Sequence, residues 1–372
     1  MILPAPDTIE AKPDREGLEE SIQATPPRPA VFLLWPRQGS PYLARTSSLR
    51  RRLARLLSRR ERPSKLLNLR DVVARVDYWL TASRLEAAIY SYELGRRHFP
   101  ETYRKLLKLR MPPYVKLMLS NAFPRTRITT RLSARNALFY GPFRNRPEAE
   151  ELESQFLELF QIRRCQEDLR PSPEHPGCIY GEMNKCLRPC QQAVGREEYQ
   201  SEVRRVAEFL SSGGDSLLRS VAAARDRLSQ EMNFEEAARQ HKRFERIQQM
   251  LRLRDSLTRD IDRLCGVSVT PSTGPEAVEL WFLMRGCWQA PRRFCFAAAG
   301  ARAASLDRRL REVASSLEPG KVTVRERQDH LALLARWYYS SWRDGEWLPF
   351  DDLRSIPYRK LVNAIHRVAT AR

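Results

Sequence analysis

Four cysteines in the middle of this chain restrict its possible folds more than any other feature. Cys178, Cys186 and Cys190 fall within the thirteen residues CIYGEMNKCLRPC, and Cys165 precedes them. Seven cysteines in 372 residues, an odd number in a large chain, argue against a disulfide framework and for metal ligation. Four thiolates favour a soft metal, and the spacing lacks the two CxxC pairs typical of zinc, so zinc and an iron–sulfur cluster both stay open. Four buried cysteines without a metal are the third possibility.

The net charge points to a polyanionic partner. The chain has 65 Lys and Arg against 45 Asp and Glu, a formal charge of +20, which is more than solubility requires. The first residues do not resemble a signal peptide, and no apolar run reaches the thickness of a bilayer. We therefore expect a cytoplasmic protein that binds a polyanion and makes no membrane contact.

The positive charge is concentrated in one short segment. Residues 45–62 contain eight arginines and one acid, and the leucines among them have helical spacing. Such a helix would bury its leucines and display its arginines, which can neutralise phosphates. The alternative is a solvated charged face. The candidate DNA-binding residues are Arg45, Arg50, Arg51, Arg52, Arg55 and Arg59.

Residues 1–28 differ in character from the rest of the chain. They hold six acids, three basic residues and several prolines, a composition typical of disorder. We expect a disordered leader that ends before the first strand.

Hydrophobic periodicity predicts an α+β architecture. The segments AVFLLW (30–35) and PYLA (41–44) favour a β-hairpin, and further helices and strands follow up to residue 215. Residues 216–251 favour a helical hairpin, in which Asn233 is the N-cap of the second helix and Glu236 completes a capping-box-like pair. In the C-terminal part the pattern predicts two strands followed by helices.

The order of these segments resembles the UvrC excinuclease family of bacterial nucleotide excision repair. The hairpin and arginine helix, AVFLLW...PYLARTSSLRRRL, are similar to a GIY-YIG nuclease motif, and CIYGEMNKCLRPC is similar to the family's cysteine region. LSQEMNFEEAARQHKRFERI resembles the UVR motif that pairs with the helicase subunit UvrB. The resemblance covers residues 29–255 well and residues 279–345 faintly. It implies a [4Fe-4S] cluster, with zinc as the alternative, on Cys165, Cys178, Cys186 and Cys190.

The resemblance also implies a nuclease site that has lost essential groups. Tyr42 stands at the catalytic tyrosine and Arg52 at the arginine that steadies the phosphate, but Phe32 stands at the second tyrosine and Ser91 at the metal-binding glutamate. A serine hydroxyl cannot replace a carboxylate that holds a hard cation against the charge developing in the reaction. We therefore expect an inactive site, and Mg²⁺ or Mn²⁺ as a cofactor only if the site is active.

Three functions remain open. The first is a DNA-binding subunit of nucleotide excision repair that docks a UvrB-like helicase subunit and does not cleave. The second is an active GIY-YIG endonuclease that makes a single cut on the 3′ side of damaged DNA, and the third is a DNA-binding regulator outside repair. Under the first function, the resemblance implies the partner-binding residues Leu228, Asn233, Phe234, Glu235, Ala237, Ala238 and Phe244.

The predicted organisation is a small GIY-YIG-like mixed sheet with helices, a helical cysteine region, a UVR helical hairpin and a C-terminal α+β segment. We expect no counterpart of the family's RNase H-like and helix-hairpin-helix domains. The predicted boundaries are 1–28 for the leader, 29–110 for the GIY-YIG-like domain, 111–215 for linker strands and the cysteine region, 216–255 for the hairpin, 256–278 for a linker and 279–372 for the C-terminal segment.

Overall fold

The computed structural model shows helices and antiparallel strands arranged in three units, which confirms the predicted α+β class. Within the described residues, no helix combines the length and the apolar character that crossing a membrane requires. The residues that the structure describes are 3–11, 17–59, 67–133, 136–252, 255–296, 305–317, 320 and 322–371.

The first unit is an antiparallel sheet with helices on both faces. Its elements are β1 (Asp7–Glu10), α1 (Leu18–Ala24), β2 (Ala30–Pro36), β3 (Tyr42–Thr46), α2 (Leu49–Leu57), β4 (Val73–Leu80), α3 (Arg84–His98) and α4 (Tyr103–Leu106). The strand order is β1-β4-β2-β3, and all described pairs are antiparallel rather than mixed. Phe32 and Leu34 of β2 pack on the α1–α2 side, whereas Val31 and Leu33 pack on the α3 side, because successive side chains of a strand point to opposite faces. The predicted β2–β3 hairpin is thus confirmed.

The prediction of a disordered leader is wrong for the residues that the structure describes. β1 pairs with β4, and Ile9, Leu18 and Ile22 are buried in the core on the α2 side of the sheet. The prediction rested on the acidic composition and did not weigh these three apolar side chains. Their burial offsets the entropy cost of ordering the segment. This stretch therefore belongs to the first unit.

The second unit combines a four-stranded sheet with a helical layer. Its elements are β5 (Tyr114–Leu117), β6 (Thr126–Thr129), β7 (Leu138–Gly141), α5 (Arg146–Leu157), α6 (Ile179–Glu182), a 3₁₀ turn (Pro189–Gln191), α7 (Arg196–Ser211), α8 (Asp215–Gln230), α9 (Phe234–Arg252) and β8 (Arg259–Asp260). The strand order is β6-β5-β7-β8. β8 follows α9 in sequence and pairs with β7. The chain therefore enters the α8–α9 hairpin from this unit and returns to it afterwards.

The predicted helical hairpin is confirmed, with its turn at residues 231–233. Met232 adopts a left-handed backbone, with φ of 58°, and the Asn233 side-chain oxygen accepts the Glu236 N–H at 3.4 Å. Asn233 is therefore the N-cap of α9, as the sequence predicts. At the opposite end of the hairpin, Val221 and Ile247 are buried in the core of the second unit.

The third unit is an antiparallel sheet between helices. Its elements are β9 (Cys265–Pro271), β10 (Ala277–Met284), β11 (Cys287–Trp288), β12 (Arg292–Cys295), α10 (Leu306–Ser315), α11 (Val324–Tyr338), β13 (Glu346–Phe350) and α12 (Tyr358–Thr370). The strand order is β11-β10-β9-β13, and β12 also pairs with β10. α10 and α12 pack against one face of this sheet. α11 packs against the other face of the sheet.

The prediction that residues 256–278 form a linker is wrong. β8 and β9 lie in this range, and Val267 and Val269 of β9 are fully buried. The turn of the β9–β10 hairpin is residues 272–276, STGPE, which contain a glycine and a proline. Turn residues of this kind occur in hairpin loops as well as in linkers, so composition alone did not separate the two.

The first and third units share one core, in which α3 and α11 pack together. The Tyr103 hydroxyl donates to the Asp329 carboxylate at 2.6 Å, and the Asp329 side chain is fully buried. The Tyr92 and His330 rings meet edge to face, with centroids 5.6 Å apart. The packing of α11 against α3 brings the C-terminal end of α11 next to β3.

Candidate functional site

The structure brings together two residues that the resemblance implies for catalysis. The Arg52 guanidinium donates from Nη2 to the Tyr42 hydroxyl at 3.2 Å. The Phe32 ring is fully buried, with its centroid 6.4 Å from that of Tyr42. All three lie on the α2 side of the first sheet, where β3 positions the tyrosine and α2 the arginine.

Ser91 lies apart from this pair, on α3. It is buried, and its hydroxyl donates to the Ala87 carbonyl oxygen at 2.7 Å. It lines a cleft of about 290 Å³ whose charged side chains are Arg45, Lys108 and Arg336; we call this the cationic cleft. Among its described lining residues there is no carboxylate, and the hydrogen-bonded tyrosine and arginine of the α2 side do not line it. The cleft therefore suits an anion and offers a divalent cation no carboxylate ligand.

Two other carboxylates of α3 are directed elsewhere. Glu93 forms an ion pair with Arg96 at 3.4 Å. Glu86 accepts the backbone N–H of Ala82 at 2.7 Å. Burial raises the pKa of Glu86 to about 7, and the neighbouring Glu279 carboxylate acts in the same direction. Neither α3 carboxylate is among the described residues that line the cationic cleft.

The arginine helix α2 has the two faces that the sequence predicts. Its four leucines are buried, while the exposed arginines are Arg51, Arg55 and, just beyond the helix, Arg59. Arg50 is held at the edge of this face, because its Nε donates to the Thr25 carbonyl oxygen at 2.8 Å. Arg45 lies on β3 and lines the cationic cleft. The arginines at positions 60 and 62 lie outside the described residues.

The four predicted cysteine ligands lie between α5 and α7. All are free thiols; Cys186 and Cys190 are buried, and Cys165 and Cys178 are half-buried. The pKa of Cys186 is raised to about 11, chiefly by burial and to a smaller extent by the other three thiols, which therefore lie close enough to interact with it electrostatically. Across the described part of the chain, however, no three Cys, His, Asp or Glu side chains are arranged to hold a metal ion. The thiols share one region without forming a coordination shell.

The chemistry around these sulfurs fits a thiolate-bound metal or cluster. The backbone N–H of Arg188 donates to the Cys186 sulfur at 3.4 Å, and the Arg163 guanidinium donates to the Cys165 sulfur at 3.5 Å. Arg163 is itself 1% exposed, so this charge sits inside the protein beside the thiols. Hydrogen bonds of this kind stabilise thiolates and tune iron–sulfur clusters.

The turn of the α8–α9 hairpin exposes two apolar side chains. Met232 is 77% exposed and Phe234 is 66% exposed. Of the other predicted partner-binding residues, Asn233, Glu235 and Ala238 are exposed, Leu228 and Phe244 are half-buried, and Ala237 is buried. The sequence reasoning missed Met232, whose position in the turn is the signal that could have found it.

Comparison with known proteins shows which family the chain resembles. A family model described as the middle domain of the UvrC/Cho excinuclease matches residues 113–209. Proteins named UvrABC system protein C match most of the chain. That of Moorella thermoacetica is 26% identical over 325 residues, which are 87% of this chain and 49% of the relative. That of Ruminiclostridium cellulolyticum is 21% identical over 361 residues, which are 95% of this chain and 58% of the relative.

Over most of its length the chain is similar to proteins of the UvrC family. It spans about half the length of the curated relatives it matches. No solved structure matches it. The family model covers the strands β5 to β7, the cysteine region and most of α7. The matches to whole relatives extend well beyond that region.

The sequence reasoning missed the third unit's part in the cationic cleft. Arg336, near the end of α11, lines the cleft together with Arg45 of β3. No local pattern connects two arginines so far apart in sequence. Only the packing of α11 against α3 brings them to the same surface.

Proposed function

We propose that this UvrC-family chain is a DNA-binding subunit of nucleotide excision repair whose nuclease-like site does not cleave. The observation that carries the proposal is the position of Ser91, which lies in the cationic cleft and apart from the Tyr42–Arg52 pair. Ser91 stands where the resemblance implies the metal-binding glutamate, and the cleft around it holds three cations and, among its described residues, no carboxylate. A divalent cation there would meet positive charge and lack a ligand, whereas a phosphate would be attracted.

The exposed arginines of α2 support the DNA-binding part of the proposal. Arg51, Arg55 and Arg59 lie on a surface that presents no acidic side chain from α2 itself. Arginines arranged in this way neutralise successive phosphates and release counterions, which supplies affinity that depends little on sequence. The buried leucines hold this face rigidly against the sheet.

The exposed turn of the α8–α9 hairpin supports docking of a UvrB-like helicase subunit. Met232 and Phe234 are both mostly exposed. Large apolar side chains that are exposed together on a surface are typical of interaction sites. Their helices are held at the other end by the core of the second unit. Phe234 is therefore available to a partner without any rearrangement of the hairpin.

We also propose that the four cysteines hold a [4Fe-4S] cluster, with zinc as the alternative. Cys165, Cys178, Cys186 and Cys190 would supply one thiolate each, and a bound cluster would tie the loops between α5 and α7 into one unit. The N–H of Arg188 already donates to one sulfur. The residues of this region fit such a group through their all-sulfur donor set and these hydrogen bonds.

An incision assay tests the proposal that the site does not cleave. Purified protein is incubated with nicked and damaged duplexes and Mg²⁺ or Mn²⁺, with and without a UvrB-like helicase subunit. We expect no metal-dependent cut above background. The Tyr42–Arg52 hydrogen bond favours the second candidate, a single-cut endonuclease. Cutting that is lost in Tyr42→Phe and kept in Tyr78→Phe, a matched loss of hydroxyl in the same sheet, would establish that candidate and reject ours.

A pull-down tests the proposed partner. Phe234→Ala should lose most of its binding to a UvrB-like subunit, because truncating an exposed aromatic anchor removes its contact area. Leu67→Ala, which truncates a 54% exposed side chain in the first unit, should bind as wild type does. DNA binding without any UvrB association would instead indicate a regulator outside repair.

A further inference from the structure

A second cavity adjoins the cationic cleft where the first and third units meet. Its volume is about 600 Å³, within the range of small-molecule sites. The end of β3, the residues that precede α3 and the end of α11 form its walls. Three of its lining residues are arginines, Arg45, Arg84 and Arg336, and we call it the three-arginine pocket.

The three-arginine pocket carries a net positive charge. Asp344 is the single carboxylate among its described lining residues. Both of its oxygens have donors, because the Arg84 backbone N–H donates to one and the Trp337 indole N–H donates to the other at 3.1 Å. Burial lowers the pKa of Arg45, and the nearby charges of Arg336 and Arg84 lower it further. The Arg45 guanidinium is thus close enough to the other two guanidinium groups to be repelled by both.

A buried hydroxyl without a partner also lines this pocket. Thr81 is 1% exposed, and in the described part of the chain its hydroxyl has no hydrogen-bond partner. An unsatisfied buried hydroxyl costs free energy that a ligand oxygen could recover. Trp342 lines the pocket as well, with the Arg84 guanidinium 4.9 Å from the centre of its ring.

We propose that the three-arginine pocket binds a phosphate group of a nucleotide or a DNA strand, and that the third unit supplies one of its cations through Arg336. The proposal deepens the DNA-binding function proposed above and uses a surface separate from α2. Guanidinium groups match phosphate oxygens in geometry and charge. The Thr81 hydroxyl adds a neutral donor inside the pocket, and Trp342 offers an aromatic surface at its wall for a base.

The pocket and the cationic cleft form one continuous anion-binding surface. Arg45 and Arg336 line both. The surface runs from Ser91, where the resemblance implies a metal ion, to Thr81. Arg336 is positioned for this role by a hydrogen bond from its Nη1 to the Leu107 carbonyl oxygen at 3.1 Å. A phosphate held by arginines from two units would stabilise their contact as well as the ligand.

The test measures binding of three probes by the full chain. The probes are a short fluorescent oligothymidine with a 5′-phosphate, the same oligonucleotide without it, and thymidine 5′-monophosphate as competitor. Thr81→Val keeps the side-chain shape and removes only the hydroxyl, so the fold is retained. Arg336→Ala removes one cation, and Arg359→Ala removes an exposed arginine of α12 that is not among the pocket's described lining residues.

Thr81→Val and Arg336→Ala should each weaken binding of the phosphorylated oligonucleotide by about tenfold, while Arg359→Ala binds as wild type does. Losses confined to the 5′-phosphate and the mononucleotide identify a terminal phosphate; equal losses with both oligonucleotides identify a backbone phosphate. If both pocket variants match Arg359→Ala with every probe, the pocket proposal is overturned, even when duplex binding through α2 is intact. If wild-type protein binds the mononucleotide but no duplex, the pocket stands and the proposed repair function fails.

Discussion

Replacing Glu86 with glutamine should stabilise the protein at neutral and alkaline pH and have little effect in acid. Glu86 is 2% exposed, and it lines a cavity together with Thr273 and Arg293 of the third unit. Its pKa is raised from 4.5 to about 7, chiefly by burial and also by the Glu279 carboxylate, while the hydrogen bond from Ala82 acts in the opposite direction. The ionised carboxylate is therefore the less stable form in the folded protein.

The size of the effect follows from this pKa. Between pH 4.5 and about 7, folded Glu86 keeps a proton that the unfolded chain has released. Stability therefore falls as the pH rises through this window, and the loss is complete above it. The shift corresponds to about 3 kcal/mol at full ionisation. The glutamine oxygen can still accept the Ala82 N–H, which is 2.7 Å from the carboxylate, so we expect a gain of about 1–3 kcal/mol above pH 7.

Urea unfolding of wild type and Glu86→Gln at pH 5 and pH 8 measures this difference. The gap between the two proteins should open as the pH rises. Glu208→Gln, which removes an exposed carboxyl of α7, serves as the matched control. A Glu86→Gln protein that is less stable at pH 8, or that is shifted equally at both pH values, would show that burial of this carboxyl does not destabilise its ionised form.

Three further outcomes are expected. Arg51→Ala combined with Arg55→Ala should reduce the slope of log affinity for duplex DNA against log salt by up to about 2, since each neutralised phosphate contributes about 0.9; an unchanged slope would place the DNA elsewhere. Phe234→Ala should weaken association with a UvrB-like subunit by about 2 kcal/mol while circular dichroism stays unchanged, because this side chain is 66% exposed; lost helicity would mean that it holds the hairpin together. Anaerobically purified protein should absorb broadly near roughly 400 nm, and Cys186→Ser but not Cys295→Ser should abolish the band; colourless protein with stoichiometric zinc would contradict the cluster.

Local periodicity was sufficient to predict the elements that carry most of the candidate site. Helix α2 repeats leucine at helical spacing with arginine between, and α9 begins at an asparagine that caps it. Such patterns depend only on the geometry of a single element, so they can be read without knowing what the element packs against. The predictions failed where composition replaced periodicity, in the acidic segment that contains β1 and α1 and in the segment that contains β9.

The sequence by itself determined the order of the motifs, the four clustered cysteines, the two-faced arginine helix and the serine at the position where the resemblance implies a metal-binding glutamate. Only the tertiary structure decided what surrounds that serine. Arg45, Arg84 and Arg336 come from a strand and from the ends of two helices, and they meet because α3 and α11 share a core. Side-chain periodicity specifies which face of an element is apolar, but the polar groups that become neighbours at the edge of a core depend on which apolar faces pack together.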